Sequence, residues 1–231
     1  MKVEIWSDIA CPFCYIGKHN FERALKSLPK NSEIEVEWKS FELDPYAQKN
    51  YEDDIYTLLA NKYGQTREWA VRSAESMKQK GQDIGLEFNF DQTISTNTFD
   101  AHRLLHLAKK AGKQNEAEEA LFEAYFRDGK HIGNHEDLIA IGESIGLEEQ
   151  EIKSMLNSDQ FAREVREDET MSQQFGIRGV PYFVVNRKHG ISGAQPISHF
   201  IDVLKKVLDE EAEIILEEDK DGNACDVDGC D

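Results

Sequence analysis

Hydrophobic and polar positions change period along this chain, and each change marks an element. Val3-Glu4-Ile5-Trp6 is short and apolar-rich, as a buried strand is. From Tyr15 to Leu28 the apolar side chains fall at Ile16, Phe21, Ala24, Leu25 and Leu28, a helical spacing. Ser32 to Phe41 alternates, with Ile34, Val36, Trp38 and Ser40 against Glu33, Glu35, Glu37 and Lys39. That pattern predicts a strand with one wet face, and Asp44-Pro45 breaks it.

From there to Gly176 the chain reads as punctuated helices. One runs from near Glu52 to Tyr63 and stops at Gly64; Thr66 caps the next, which stops near Gly81. Asn97 caps a third over Thr98–Ala111, and a fourth spans about Asn115 to Arg127. Asn134 opens a fifth, which ends near Gly146. A short one covers Glu148–Leu156, and Ser158 opens the last, running to Phe175. The period then returns to two. Gly179 to Asn186 is a turn and a β-branched, aromatic run, and Gly190 to Gly193 is a short return strand. Pro196 to about Ile215 carries Ile197, Phe200, Ile201, Leu204, Val207 and Leu208 at helical spacing. The fold class is therefore α/β, two halves of one small sheet with helices between them. Residues 1–44 and 177–216 form the sheet domain, 45–176 an inserted all-helical domain, and 217–231 an acidic tail. Trp6, Trp38, Phe183 and Val185 read as sheet core; Tyr63, Trp69, Phe88 and Phe90 read as packing for the helical block.

Composition narrows the function. The 231 residues carry a net charge of −18, of which −10 falls between Asp209 and Asp231. An acidic chain repels phosphate backbones, so nucleic acid is not the expected partner. No apolar run approaches the ~20 residues that span a bilayer, and no signal-peptide pattern opens the chain, which leaves the cytoplasm as the expected location.

The candidate chemistry lies at the first strand-to-helix turn, Cys11-Pro12-Phe13-Cys14. Pro12 falls near the first helical position, where its missing N–H costs little. The first turn of a helix has free N–H groups and the positive end of the dipole, and either stabilises a thiolate on Cys11. Cys14, one turn on, is near enough to close a disulfide and is less exposed. Cys11 thus reads as the attacking thiol and Cys14 as the resolving one. A zinc site would need a second pair of ligands, and in a cytosolic strand–CxxC–helix context redox chemistry is the stronger reading.

The order of elements, with Cys11-Pro12-Phe13-Cys14-Tyr15-Ile16-Gly17 after Ser7-Asp8 and Gly179-Val180-Pro181-Tyr182-Phe183 far downstream, resembles the thioredoxin fold with a large inserted helical domain. It is similar to the DsbA-type thiol oxidoreductases, and within them to the FrnE-like branch. Asn97-Thr98 with Ala101-His102-Arg103-Leu104, and Ser192-Gly193-Ala194-Gln195-Pro196, belong to the same resemblance, which covers about residues 1–210. It implies a protein dithiol–disulfide oxidoreductase that needs no cofactor and acts on disulfide or dithiol substrates, protein or glutathione-like. It also implies a cis Pro181 beside the cysteines, with Pro12, Phe13, Val180 and Pro181 touching substrate. The Pro-Phe dipeptide lacks the histidine that helps hold the DsbA thiolate. A less oxidising disulfide is expected, suited to reduction or isomerisation.

Two rivals share features of this reading. Kappa-type glutathione transferases and hydroxychromene-carboxylate isomerases resemble the same fold, but use a single serine where Cys11 stands and have no use for Cys14. A chaperone-like binding protein would use the groove between sheet and helices. Cys225 and Cys230, in the acidic tail, read as a second redox pair that exchanges with Cys11 and Cys14, as a local disulfide or two free thiols, or as metal ligands aided by Asp219, Asp221, Asp226 and Asp228. His102 and His106, and His131 and His135, have helical i,i+4 spacing without a third ligand, so they read as structural and no metal is expected. Asn97 reads first as a helix cap, and Gln195 as a cap or a ligand contact. The oligomeric state is not legible.

Overall fold

The computed structural model describes residues 1–29 and 32–221, the last ten of these as backbone alone. Strands β1 (Lys2–Ser7), β2 (Glu35–Ser40), β3 (Tyr182–Val185) and β4 (His189–Ser192) form one sheet in the order β2-β1-β3-β4. β1 runs parallel to β2 with Ile5 opposite Trp38. It runs antiparallel to β3 with Trp6 opposite Tyr182. Helix α1 (Pro12–Lys26) follows β1, and α9 (Ile197–Asp221) follows β4. Between β2 and β3 lie α2 (Ile55–Tyr63), α3 (Arg67–Gln82), α4 (Phe99–Lys110), α5 (Gln114–Phe122), a π-helical turn (Glu123–Arg127), α6 (His135–Ser144), α7 (Glu149–Leu156) and α8 (Ala162–Gln174). The chain therefore has the mixed sheet, with a run of helices inserted between its two halves, that the resemblance implied.

Local chemistry explains most of these boundaries. Thr66 accepts a hydrogen bond from Trp69 N at 3.2 Å, and Asn134 accepts one from Glu136 N at 2.7 Å; each satisfies a free donor at a helix start. The first inserted helix starts at Ile55, because Asp54 is the residue that caps it, accepting from Thr57 N at 2.8 Å. Ser158 does not open α8. Its hydroxyl turns back to Ser154 O at 2.9 Å, and Phe161 has a φ of +64°, so the helix starts at Ala162. Arg103 holds this turn: Nε donates to Gln160 O at 2.8 Å, and Nη2 donates to the carbonyls of Met155 and Ser158. α9 continues past Ile215 to Asp221, through residues that favour helix and contain no breaker.

The core has three parts. One face of the sheet packs Val3, Ile5, Trp38 and Phe183 against Phe21 of α1 and Phe200 of α9. The other face packs Trp6, Ile177 and Val184, with Trp6 Nε1 donating to Asp168 O of α8 at 2.9 Å. The third part, around Phe88, Leu104, Leu121, Phe122 and Phe126, also takes in Cys11, Cys14, Tyr15 and Ile16 from α1. α1 therefore has one face in the sheet core and one in the helical core.

Two expectations need correction. The charged face of β2 is only partly wet. Glu33 and Glu35 are exposed, but Glu37 is buried and Lys39 nearly so, because α8 packs there. Lys2, Lys39 and Lys109 surround Glu37, and Lys39 also reaches Asp168 at 3.1 Å. Burial alone would raise the Glu37 carboxyl, but the three ammonium groups outweigh it and hold it well below the usual range. Tyr63 is exposed rather than packed in the helical block, with its ring 5.7 Å from Trp69.

Gly17 sets the distance between α1 and the start of β3. A Cβ there would stand 2.8 Å from Pro181 Cγ and 3.5 Å from Phe183 Cζ. Gly17→Ala gains about 1 kcal/mol of helix propensity. Overpacking against a rigid ring costs about 1–3 kcal/mol, so the variant is expected to be less stable by about 1 kcal/mol, and Gly17→Val by more. Urea denaturation decides this; an alanine variant as stable as the parent would show that the contact is slack.

Candidate active site

β1 ends at Ser7, and the chain turns through Asp8–Ala10, where Cys11 N donates to Asp8 O at 3.0 Å and Ala10 N donates to Asp8 Oδ1 at 3.3 Å. Cys11 is the N-cap of α1, with extended backbone angles, and Pro12 is the first helical residue. Both cysteines are free thiols. Cys11 is 5 % exposed, and its Sγ lies 3.7 Å from Val180 O, beside the cis Val180–Pro181 peptide bond. Cys14 is fully buried one turn on, its N–H donating to Cys11 O at 3.0 Å. Pro12 is half-buried and Phe13 is 45 % exposed, its ring centroid 5.8 Å from Lys80 Nζ of α3. The structure thus gathers Cys11, Cys14, Val180 and Pro181 at one point, with Phe13 at the surface. Cys225 and Cys230 lie outside the described residues.

Burial pushes the Cys14 thiol well above its ordinary range, and Cys11 adds to the rise; the Asp8 backbone and the Ser7 hydroxyl offset part of it. Behind Cys14 lies a set of buried polar side chains: Ser7, Asp8, Glu42, His102 of α4 and Glu118 of α5. Ser7 Oγ donates to Glu118 Oε1 at 2.7 Å. His102 Nε2 stands 3.5 Å from Asp8 Oδ1, and Asp8 Oδ2 accepts from Leu43 N at 2.7 Å. Glu42 pairs with Arg166 and accepts from Asn97 Nδ2 at 3.3 Å. Burial drives the Glu118 carboxyl up to about 7, against the opposing pull of Ser7, His102 and Lys18. Burial lowers His102, but Asp8, Glu42 and Glu118 outweigh it and raise its affinity for a proton.

Glu118 was not singled out by its sequence, although a signal was present. It shares the helical stripe of Ala117, Leu121 and Phe122, where an acid is out of place. A cleft of about 390 Å³ opens at Asp8 and Ala10, just before Cys11 in the chain, lined also by Leu43, Tyr51, Leu58 and Lys62; neither cysteine lines it.

The remaining candidates have structural partners. The N-cap of α4 is Thr98, without a side-chain cap bond, rather than Asn97, which stands one residue earlier and whose Oδ1 accepts from Phe99 N at 2.9 Å. Gln195 Nε2 donates to Ser192 O at 2.8 Å. His106 Nε2 sits 3.2 Å from Asp168 and 3.2 Å from Ser40 Oγ; His131 faces Asn50, and His135 faces Asp100. Among the described residues no three His, Cys, Asp or Glu side chains converge as metal ligands, and no helix is long and apolar enough to cross a membrane.

A family model described as the DSBA-like thioredoxin domain matches residues 2–205. The crystal structure of the probable DsbA oxidoreductase SCO1869 from Streptomyces coelicolor is 36% identical and aligns with a TM-score of 0.86, covering 100% of this chain and 98% of that one. YwbO of Bacillus subtilis (strain 168) is 28% identical over 187 residues, 80% of this chain and 86% of that protein. The cytosolic disulfide reductase DsbM from Pseudomonas aeruginosa shares the fold at a TM-score of 0.64 and 13% identity, covering 90% of this chain and 98% of its own. DsbM also has a structure with GSH.

Glu118→Gln keeps an acceptor for Ser7 and removes the titration. A carboxyl raised from 4.5 to about 7 contributes stability that is complete below the unfolded value and is lost as pH rises through the folded one. The loss reaches about 3 kcal/mol. Relative to the parent, the variant should gain stability from pH 5 to about pH 7 and hold that gain to pH 8. Urea midpoints across that range test it, and a gap independent of pH would remove the case for a raised carboxyl.

Proposed function

Because the chain belongs to the DSBA-like thioredoxin-domain family, whose members are thiol–disulfide oxidoreductases, we propose that it exchanges disulfides through Cys11 and Cys14. Cys11 attacks a substrate disulfide as the thiolate and forms a mixed disulfide. Cys14 then attacks Cys11, forms the intramolecular disulfide and releases the second substrate thiol. Oxidation runs the same steps in reverse.

The observation that carries this reading is the placement of two free thiols one turn apart, with Cys11 Sγ beside the Val180 carbonyl. A substrate sulfur arriving at Cys11 meets Val180, Pro181 and Phe13 first, so these residues are proposed to contact it. Substrates are proteins or small disulfides of the glutathione type, handled mainly in the reducing direction in a reducing cytoplasm. Pro12 and Phe13 put no histidine between the thiols, which supports a weaker oxidant than DsbA. The buried Cys14, whose thiol responds to Cys11, favours this reading over a transferase or isomerase that activates glutathione with one side chain.

Insulin reduction by dithiothreitol should be accelerated by the parent and fall to background with Cys11→Ser. Cys14→Ala should accumulate mixed disulfides on Cys11, identifiable by mass spectrometry. Activity that survives Cys11→Ser, or glutathione conjugation to an electrophile in place of disulfide exchange, would replace the proposal with one of its rivals. Equilibration with glutathione should give a potential more reducing than the about −120 mV of DsbA; a matching value would reverse the assigned direction.

A further inference from the structure

Cys14 has no exposure, yet it must lose a proton to attack the mixed disulfide. The groups around it are unevenly satisfied. Ser7 lies against the Cys14 thiol and donates to Glu118 Oε1 at 2.7 Å. Glu118 Oε2, equally buried, has no hydrogen-bond partner among the described residues, and neither does either ring nitrogen of His102. Leaving such atoms unpaired is costly, so each calls for a reason. Next door on α5, Glu119 shows the contrast: it is saturated by Lys18 and by Tyr15 Oη at 2.7 Å.

We propose that Glu118 takes the proton of Cys14 through the Ser7 hydroxyl. The proposal rests on the disulfide-exchange reading of Cys11 and Cys14. In the resolving step the Cys11–Cys14 S–S bond forms and the bond from Cys11 to the substrate sulfur breaks. The electron pair leaves on the substrate thiolate, which takes a proton from solvent. The Cys14 proton passes to Ser7 Oγ as the Ser7 proton passes to Glu118 Oε1, which leaves Glu118 neutral.

The alternatives nearby are poor acceptors. Lys18 of α1 is held as an ammonium by Glu22 and Glu119. His102 of α4 is already drawn to its protonated form by Asp8, Glu42 and Glu118. Asp8, at the end of β1, has both oxygens engaged by the backbone N–H groups of Ala10 and Leu43. Glu42, after β2, is tied to Arg166 and Asn97. Among the described residues around Cys14, Glu118 alone combines an unpartnered oxygen with a carboxyl at about 7, poised to take a proton and to give it up.

The test uses the full chain carrying Cys225→Ser and Cys230→Ser, so that only Cys11 and Cys14 react. Rapid mixing with 5,5′-dithiobis(2-nitrobenzoate) releases one chromophore as Cys11 is modified and a second as Cys14 resolves it. In the parent the second release should quicken from pH 6 to pH 8 with an inflection near 7. Glu118→Gln should slow it by at least about tenfold at pH 7.5 and abolish the inflection, with the first release unchanged. Ser7→Ala should do the same and Ser7→Thr should restore it, which decides the matter should the Glu118 variant fail to fold. A second release with the parent's pH profile in both variants, or one slowed equally at every pH, overturns the relay alone. Absence of any first release from Cys11 overturns the disulfide-exchange reading and the relay with it.

Discussion

The approach of the first turns of α1 to the Val180–Pro181 peptide is the constraint on which the site depends. β1 and β3 pair antiparallel with Trp6 opposite Tyr182, so the end of one strand lies beside the start of the other. Gly17, with no Cβ, lets the helix close onto the Pro181 ring. That contact places Cys11 Sγ against the Val180 carbonyl and turns Cys14 inward. A bulkier residue at Gly17 or a shift in strand register would separate the sulfur from the peptide, whatever the cysteines' own chemistry.

Turning Cys14 inward has a second consequence. α1 is shared between two cores, and its first turn faces the helical one, where α4 and α5 supply His102 and Glu118. A buried carboxylate is unfavourable unless it is paired, and the chain handles its buried acids in two ways. Glu37 is surrounded by three lysines and stays ionised. Glu118 has one hydroxyl and, among the described residues, no partner for its second oxygen, and its carboxyl rises towards neutral pH. The first arrangement holds a sheet edge against α8; the second sits beside the sulfur whose protonation must change.

Much of this was legible in the residues themselves. Thr66 and Asn134 cap the helices they precede, and the two-residue period of Phe183–Val185 and the helical period of Ile197–Val207 stand as written. The Cys11–Cys14 turn and the distant Val180–Pro181 pair converge as the resemblance implied. The failures share a cause. Ser158 has the composition of a cap, but Arg103, 55 residues away, gathers the carbonyls of that turn. Glu37 and Lys39 alternate as a wet face does, but α8 covers them.

Caps, helical stripes and strand alternation are short-range, so the order of elements and the location of the dithiol follow from neighbours a few residues apart. The sequence alone determined that much: a strand, a Cys11–Cys14 helix, a helical stretch, and strands returning at Val180–Pro181. Whether a given charge is wet, paired or stranded depends on which distant helix packs over it. Only the tertiary structure decided that Glu118, more than a hundred residues from Ser7 in the chain, lies behind Cys14. Burial and Coulomb forces act through space, and one helical turn of sequence carries no record of them.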